Sequence, residues 1–193
     1  MRYCSVHWAG CVAYETAWQW QKILAMQRAQ DQCLDTLLLL EHPHTYTLGS
    51  AGKLEHLLMS EPERIQKGVS VFHVDRGGDI TYHGPGQLVG YPILQLETNP
   101  KTLRADVVAY IRQLEEVIIE SLQYFDIHGV RYPPYTGVWV SYNEVLHKIA
   151  AIGVKVNVKR ITQHGFALNV HPDMQYFKGI IPCGIDDKPV ISM

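Results

Sequence analysis

Val107, Ile111, Leu114, Ile118, Leu122 and Phe125 recur at spacings of three and four, the period of a helix with one apolar face. This predicts a helix over 102–124 with Thr102 as its N-cap. Its stripe must be buried against something, and most of the remaining chain reads as strand. Runs rich in β-formers and bounded by Gly, Pro or polar turns are expected as strands at 36–40, 45–48, 69–74, 80–82, 88–96, 137–142, 147–152, 154–158 and 162–170. A second amphipathic helix is expected over 14–32, where Trp18, Ile23, Leu24, Met26 and Ala29 mix with Gln, Lys and Arg. Short helices are expected after Pro62 and around 173–177. Helices and strands are segregated, which argues an α+β fold on a largely antiparallel or mixed sheet. Leu37–Leu40 and the Met26 region read as core, and the Glu115-Glu116 pair as the solvated face of its helix.

A chain of 193 residues with 47% hydrophobic and 19% charged residues can bury one sizeable core. A single domain over 1–193 is expected. The restricted backbone of Tyr132-Pro133-Pro134-Tyr135 makes 131–136 a candidate subdomain boundary. Seventeen Lys and Arg against nineteen Asp and Glu leave a net charge of -2, which argues against a nucleic-acid partner or an anionic membrane surface. The longest apolar run, Leu37–Leu40, cannot span a bilayer, and the start at Met1-Arg2-Tyr3-Cys4 lacks a signal peptide's apolar stretch. A soluble, cytoplasmic protein is expected, and a monomer, because no heptad pattern appears. Cys4, Cys11, Cys33 and Cys183 form no C-x-x-C pair, so no disulfide framework is expected.

The densest candidate segment is Arg76-Gly77-Gly78-Asp79-Ile80-Thr81-Tyr82-His83-Gly84-Pro85-Gly86-Gln87. Its glycines would let a ligand approach the backbone, or simply make two hairpin turns. It lacks the Gly-Lys-Ser/Thr ending of a P-loop and does not open a helix as a dinucleotide fingerprint does. Cys183, between Pro182 and Gly184, suits an accessible nucleophile, although a lone cysteine also serves as a small core residue. A nucleophilic thiol needs a nearby cation or base, and Lys148, His83 and His164 are the candidates. Lys148 stands in an apolar strand, where either a partner or snorkelling to water would explain it. His42-Pro43-His44 has no further ligand at metal spacing, so no zinc site is expected.

These segments also stand in a familiar order. Leu37-Leu38-Leu39-Leu40-Glu41-His42-Pro43, Tyr46-Thr47-Leu48-Gly49, Arg76-Gly77-Gly78, Tyr82-His83-Gly84-Pro85-Gly86-Gln87-Leu88 and Tyr91-Pro92-Ile93-Leu94 are followed by Thr136-Gly137-Val138-Trp139. After these come Lys148-Ile149-Ala150-Ala151-Ile152-Gly153, His164-Gly165-Phe166-Ala167-Leu168-Asn169 and Ile181-Pro182-Cys183-Gly184. Together they resemble the octanoyltransferases of lipoate assembly, over nearly the whole chain. The resemblance implies the biotin/lipoate protein ligase fold, akin to that of class II aminoacyl-tRNA synthetases, with helices packed on a mixed sheet around an acyl-binding cleft. It implies transfer of an octanoyl group from octanoyl-acyl carrier protein to a lysine of lipoyl domains, those of 2-oxoacid dehydrogenase complexes and the glycine-cleavage H protein. Neither ATP nor a metal is implied, because the thioester is already activated.

Carried over residue by residue, Cys183 matches the nucleophile that forms an acyl-thioester intermediate. Lys148 matches the residue that lowers the thiol pKa and later relieves the incoming amine of its proton. Arg76, Gly77, Gly78, Asp79, Ile80, Thr81, Tyr82, His83, Ala151, Ile152, Gly153, Gly165, Phe166 and Ala167 match substrate-binding segments, with His164 in support. Ten residues follow Cys183, fewer than the family carries, so its C-terminal helix is expected to be either absent or trimmed from this sequence. Arg131-Tyr132-Pro133-Pro134-Tyr135 departs from a commoner Gly-containing loop. The competing readings are an ATP-dependent ligase of the same fold, a noncatalytic acyl-binding module, and a thioesterase using the same thiol.

Overall fold

The computed structural model describes residues 3–98, 104–182 and 188–193. In chain order the elements are β1 (Cys4–Cys11), α1 (Tyr14–Ala29), β2 (Asp35–Glu41), β3 (Thr45–Leu48), α2 (Glu61–Gln66), β4 (Ser70–His73), β5 (Ile80–His83), β6 (Gln87–Ile93), α3 (Val107–Gln123), β7 (Gly129–Tyr132), β8 (Tyr135–Tyr142), β9 (Val145–Val156) and β10 (Thr162–Asn169). Short 3-10 helices occupy Leu54–His56 and Met174–Gly179.

Among the described residues the larger sheet runs β1-β2-β6-β10-β9-β8-β7, and the smaller one runs β4-β3-β5. β1 and β2 are parallel because the intervening α1 supplies the crossover that parallel strands require. The other neighbours in the larger sheet are antiparallel. Alternation along β6 sends Leu88 to one face and Val89 to the other. On Leu88's face α3 lays Ile118 and Leu122 against Val138, Val140, Ile149 and Leu168. On Val89's face Ala17 and Ala25 of α1 pack on Leu38, Leu40, Tyr91, Ile93 and Ala167. Each fully buried aliphatic such as Leu122 contributes about 1.5–3 kcal/mol. The smaller sheet has its own core, built from Tyr46, Leu48, Met59, Ile80, Tyr82 and Phe177.

The sheet-and-helix expectation holds, with instructive differences. The α3 stripe is Tyr110, Leu114, Ile118 and Leu122, while Phe125 falls beyond the helix end and is exposed. Asp106 caps this helix, its carboxylate accepting the Ala109 N–H at 2.9 Å. The expected cap, Thr102, lies outside the described residues. Glu115 is not on a solvated face: it is fully buried, and only Glu116 reaches solvent. One Glu115 oxygen takes hydrogen bonds from Arg112 (2.7 Å) and Arg131 (3.0 Å), and the other takes the Gly137 N–H at 3.0 Å. Charge pairing and a buried donor therefore explain a carboxylate in the core.

The helix α1 buries Tyr14, Ala17, Gln21 and Ala25, leaving Ile23 and Met26 exposed. Alanines let the helix approach the sheet, and Gln21 is accommodated because its side-chain oxygen takes the His164 N–H at 2.7 Å. The two strands expected on either side of Gly153 form one continuous β9, in which Gly153 pairs with Gly165. Two edge strands, β1 and β7, were not expected as strands. In β1 the residues Val6 and Trp8 are exposed, so its pattern carries no clear inward face. The Pro133-Pro134 segment, joined by a cis peptide bond, forms the turn between β7 and β8, with Tyr132 paired to Tyr135.

Candidate active site

The register of β9 on β10 sets Ala151 beside Ala167 and Gly153 beside Gly165. Four small residues in cross-strand pairs leave the backbone there nearly bare. A Cβ on Gly153 would stand 3.0 Å from Arg76 Cδ and from the Gly77 carbonyl oxygen, so a side chain there would push on the 76–79 loop. Between that floor and the loop is a cavity of about 350 Å3, also lined by Tyr14, Thr81, His83, Tyr91, Lys148 and His164. Pro134 and Gly78 on its rim are exposed, whereas Tyr14, Tyr91 and His83 are buried. The cavity therefore opens near Pro134–Thr136 and beside Gly78, and its closed part lies near the tyrosines.

Arg76 is a strut of this cavity. Its Nη2 donates to the Thr47 carbonyl at 2.6 Å and to Thr47 Oγ1 at 2.9 Å, and its Nη1 donates to the Gly77 carbonyl at 3.0 Å. Asp79 pins the same loop by accepting the N–H groups of Lys53 (3.1 Å) and Ile80 (2.7 Å) and by pairing with His56. Strand alternation divides the next residues: Thr81 and His83 line the cavity, while Ile80 and Tyr82 belong to the core of the smaller sheet. His83 Nδ1 donates to Gln87 Oε1 at 2.9 Å. Burial, with His42 and Arg76 nearby, holds the imidazole neutral far below its usual range. Gln87 Nε2 donates to Asn169 Oδ1 at 2.9 Å, and Asn169 Nδ2 donates to the Ile191 carbonyl at 3.0 Å. A hydrogen-bonded line thus runs from His83 to the last residues of the chain.

Those residues flank Lys148. The Lys148 N–H donates to the Pro189 carbonyl at 2.9 Å, and the Ile191 N–H donates to the Lys148 carbonyl at 3.0 Å. Lys148 is buried, at 7% exposure, with Nζ 5.5 Å from the Trp139 ring centroid. Gly137 makes room for it: its φ is +115°, and a Cβ there would stand 2.8 Å from Lys148 Cε and 2.4 Å from the Ala150 carbonyl oxygen. Pro182 shares a small crevice with Lys148, Ala151 and Val190. The Ile181 N–H, bound to the His56 carbonyl at 2.9 Å, anchors the approach. Cys183 itself lies outside the described residues.

The model of the lipoyl protein ligase A/B catalytic domain matches residues 13–193. An octanoyltransferase of Chloroflexus aurantiacus is 47% identical over all of this chain and 84% of its own length. Another, from Solibacter usitatus, is 49% identical over all of this chain and 83% of its own. The chain belongs to the octanoyltransferases of the lipoyl protein ligase A/B family. Solved ligases share the fold. The bipartite lipoate protein ligase of Thermoplasma acidophilum superposes with a TM-score of 0.68 at 15% identity, covering 93% of this chain and 66% of that one. A lipoate-protein ligase A bound with ATP gives 0.67 at 13%, covering 99% and 75%.

In this family member the cavity gathers Lys148, Arg76, Gly77, Gly78, Asp79, Thr81, His83, Ala151, Gly153, His164, Gly165 and Ala167. Ile152 and Phe166 also line it, but both pack with the cluster beneath α3. Lining residues outside the expected set are Tyr14, Tyr91, Pro134, Tyr135 and Thr136. Tyr14 sits at the start of a helix, far in sequence from the motifs, and no local pattern marks it. Tyr91 and Thr136 do stand within the quoted motifs. Among the described residues no group of three or more His, Cys, Asp or Glu is placed to hold a metal ion. No described helix is long and apolar enough to cross a membrane.

Two histidines back the cavity. His164, at a φ of +57° and buried, bonds Asp75 Oδ1 through Nε2 at 2.9 Å. Burial lowers its pKa despite the raising effect of Asp75. His42 Nδ1 donates to the Val12 carbonyl at 2.6 Å, and Nε2 accepts from the Tyr91 hydroxyl at 2.8 Å. Burial pushes His42 down to about 4 against the raising effect of the Val12 bond. Its folded pKa is thus depressed from about 6.5, so its contribution is fully present above pH 6.5 and is lost as pH falls through about 4. The expected loss is roughly 3 kcal/mol. Urea unfolding between pH 7 and 4 should show this decline and a shallower one in His42→Gln; equal slopes would remove His42 as its source.

Proposed function

We propose that this chain transfers an octanoyl group from a carrier-protein thioester to a lipoyl-domain lysine in two steps, with Cys183 as nucleophile and Lys148 as its proton partner. The observation that carries this reading is the placement of Lys148. It is buried at the mouth end of the cavity, and both flanks of the Cys183 segment meet it, Pro182 through a shared crevice and Pro189–Ile191 through backbone hydrogen bonds. Full-length relatives named octanoyltransferase support the acyl group assigned.

The chemistry balances with these two groups alone. Lys148 takes the thiol proton, leaving a thiolate beside an ammonium, an arrangement that favours the charged nucleophile. The Cys183 sulfur attacks the thioester carbonyl carbon, the bond to the carrier's sulfur breaks, and that leaving sulfur takes the proton from Lys148. Lys148 is then neutral. When the acceptor lysine attacks the acyl-enzyme, Lys148 removes the proton from its nitrogen, the amide forms, and the Cys183 thiolate departs beside the restored ammonium. The activated thioester drives both steps, so the reading needs neither ATP nor a metal. The acyl tail lies on the bare floor of Ala151, Gly153 and Ala167, beneath the loop that Arg76 and Asp79 brace. Transfer to protein, rather than release of free octanoate, distinguishes this reading from a thioesterase.

Lys148→Ala is expected to lower transfer roughly 10²-fold or more, the scale of lost acid–base catalysis. Acyl uptake and discharge onto an apo lipoyl domain, followed separately by intact mass, should both slow. An unchanged discharge rate would confine Lys148 to the first step and overturn its double role.

A further inference from the structure

The closed end of the cavity holds groups that the proposed chemistry leaves unused. Tyr14 and Tyr91 line it, each 3% exposed. Register places them away from the reacting end. Gly90 pairs with Phe166, which sets Tyr91 in the row of Gly165, and Gly165 pairs with Gly153. Gly153 is five residues along β9 from Lys148, a run of about 17 Å. Tyr14 reaches the same end from the first turn of α1, with its ring 5.8 Å from that of His83 and 5.0 Å from that of His42.

The Tyr91 hydroxyl is already engaged. His42 uses Nδ1–H on the Val12 carbonyl, so its Nε2 accepts the Tyr91 proton, while the Tyr14 ring packs 5.0 Å from that of His42. Tyr14 is also stacked on Phe72 at 5.3 Å. Tyr91 is therefore held from behind by its hydrogen bond to His42, and Tyr14 by ring packing against Phe72, His42 and His83. An extended octanoyl chain spans roughly 9 Å from seven carbon–carbon bonds in zigzag, shorter than the run from Lys148, of which the rings occupy the closed part.

We infer that Tyr14 and Tyr91 form the end wall that sets acyl chain length. This rests on the acyl-transfer reading above. The wall discriminates sterically: each added methylene has to displace packed ring atoms, and overpacking of a braced wall is unfavourable.

The test compares transfer from hexanoyl, octanoyl, decanoyl and dodecanoyl carrier protein to an apo lipoyl domain, for wild type, Tyr14→Phe, Tyr14→Ala and Tyr91→Leu. Wild type and Tyr14→Phe, which keeps the ring, should prefer octanoyl. Tyr14→Ala should raise decanoyl or dodecanoyl relative to octanoyl, as kcat/KM, by tenfold or more, and Tyr91→Leu should shift it the same way if folded by circular dichroism. A wild type inactive with every chain length would sink the transfer reading itself. An active wild type whose preference is unmoved in a folded Tyr14→Ala would overturn the end wall while leaving that reading intact.

Discussion

Cys183→Ser incubated with octanoyl-carrier thioester is expected to gain no octanoyl group by intact mass, while the wild type gains one and passes it to an apo lipoyl domain. Overall transfer should fall roughly 10³-fold or more, the scale seen when a covalent nucleophile is lost. A hydroxyl in the same place is far harder to ionise than a thiol, and the Lys148 ammonium cannot make up the difference. Ile181, Lys148 and the 188–193 segment are held by backbone hydrogen bonds, and Pro182 packs in the crevice with β9 and β10 residues, so the substitution should leave the melting temperature near that of wild type. Transfer at the wild-type rate in Cys183→Ser would end the two-step reading. Transfer that depends on ATP and free acid would put an adenylate-forming ligase in its place.

The largest stability effect expected of a single substitution at neutral pH lies at Glu115. Its carboxylate is fully buried and holds Gly137 N–H at 3.0 Å, with Arg112 and Arg131 on the other oxygen. In Glu115→Ala the buried Gly137 donor loses its partner, at a cost of about 1–3 kcal/mol. The two arginines are partly exposed (40% and 34% of their side chains) and recover hydration, so their share is small. A melting temperature lower by roughly 4–8 °C corresponds to about 2 kcal/mol in a chain of this size. Gly137 abuts the Lys148 side chain, so transfer should weaken in the same variant. Glu115→Gln, which keeps an oxygen for Gly137, should recover most of the stability; a variant as unstable as Glu115→Ala would place the effect in the ion pairs instead.

Glu115 also shows where a sequence stops being informative. Its neighbours in the chain mark a helix, and a carboxylate on a helix is ordinarily solvated. Only the arrival of Arg131 from β7 and Gly137 from β8 makes its burial favourable. Met26 and Gln21 teach the same lesson in reverse. Periodicity made Met26 core and gave Gln21 no role, but the alanines of α1 set the helix's angle of approach to the sheet, and that angle buries Gln21 against the His164 N–H.

Local chemistry was legible wherever it depends on adjacent residues. The glycines of 76–86, the apolar period of α3, the β-forming runs and the ordered motifs are properties of neighbours along the chain, and they determined the fold class, the family and the candidate pair Cys183 and Lys148. Tertiary structure decided what depends on register. The pairing of β9 with β10 makes Ala151, Gly153, Gly165 and Ala167 one bare floor, and alternation along β5 turns Ile80 and Tyr82 away from it. The crossing of α1 brings Tyr14 to a cavity whose motifs lie at least 60 residues further on. Side-chain identity fixes what a residue can do, but which residues share a face is a sum of strand pairings and helix packing across the whole chain, and no local window contains that sum.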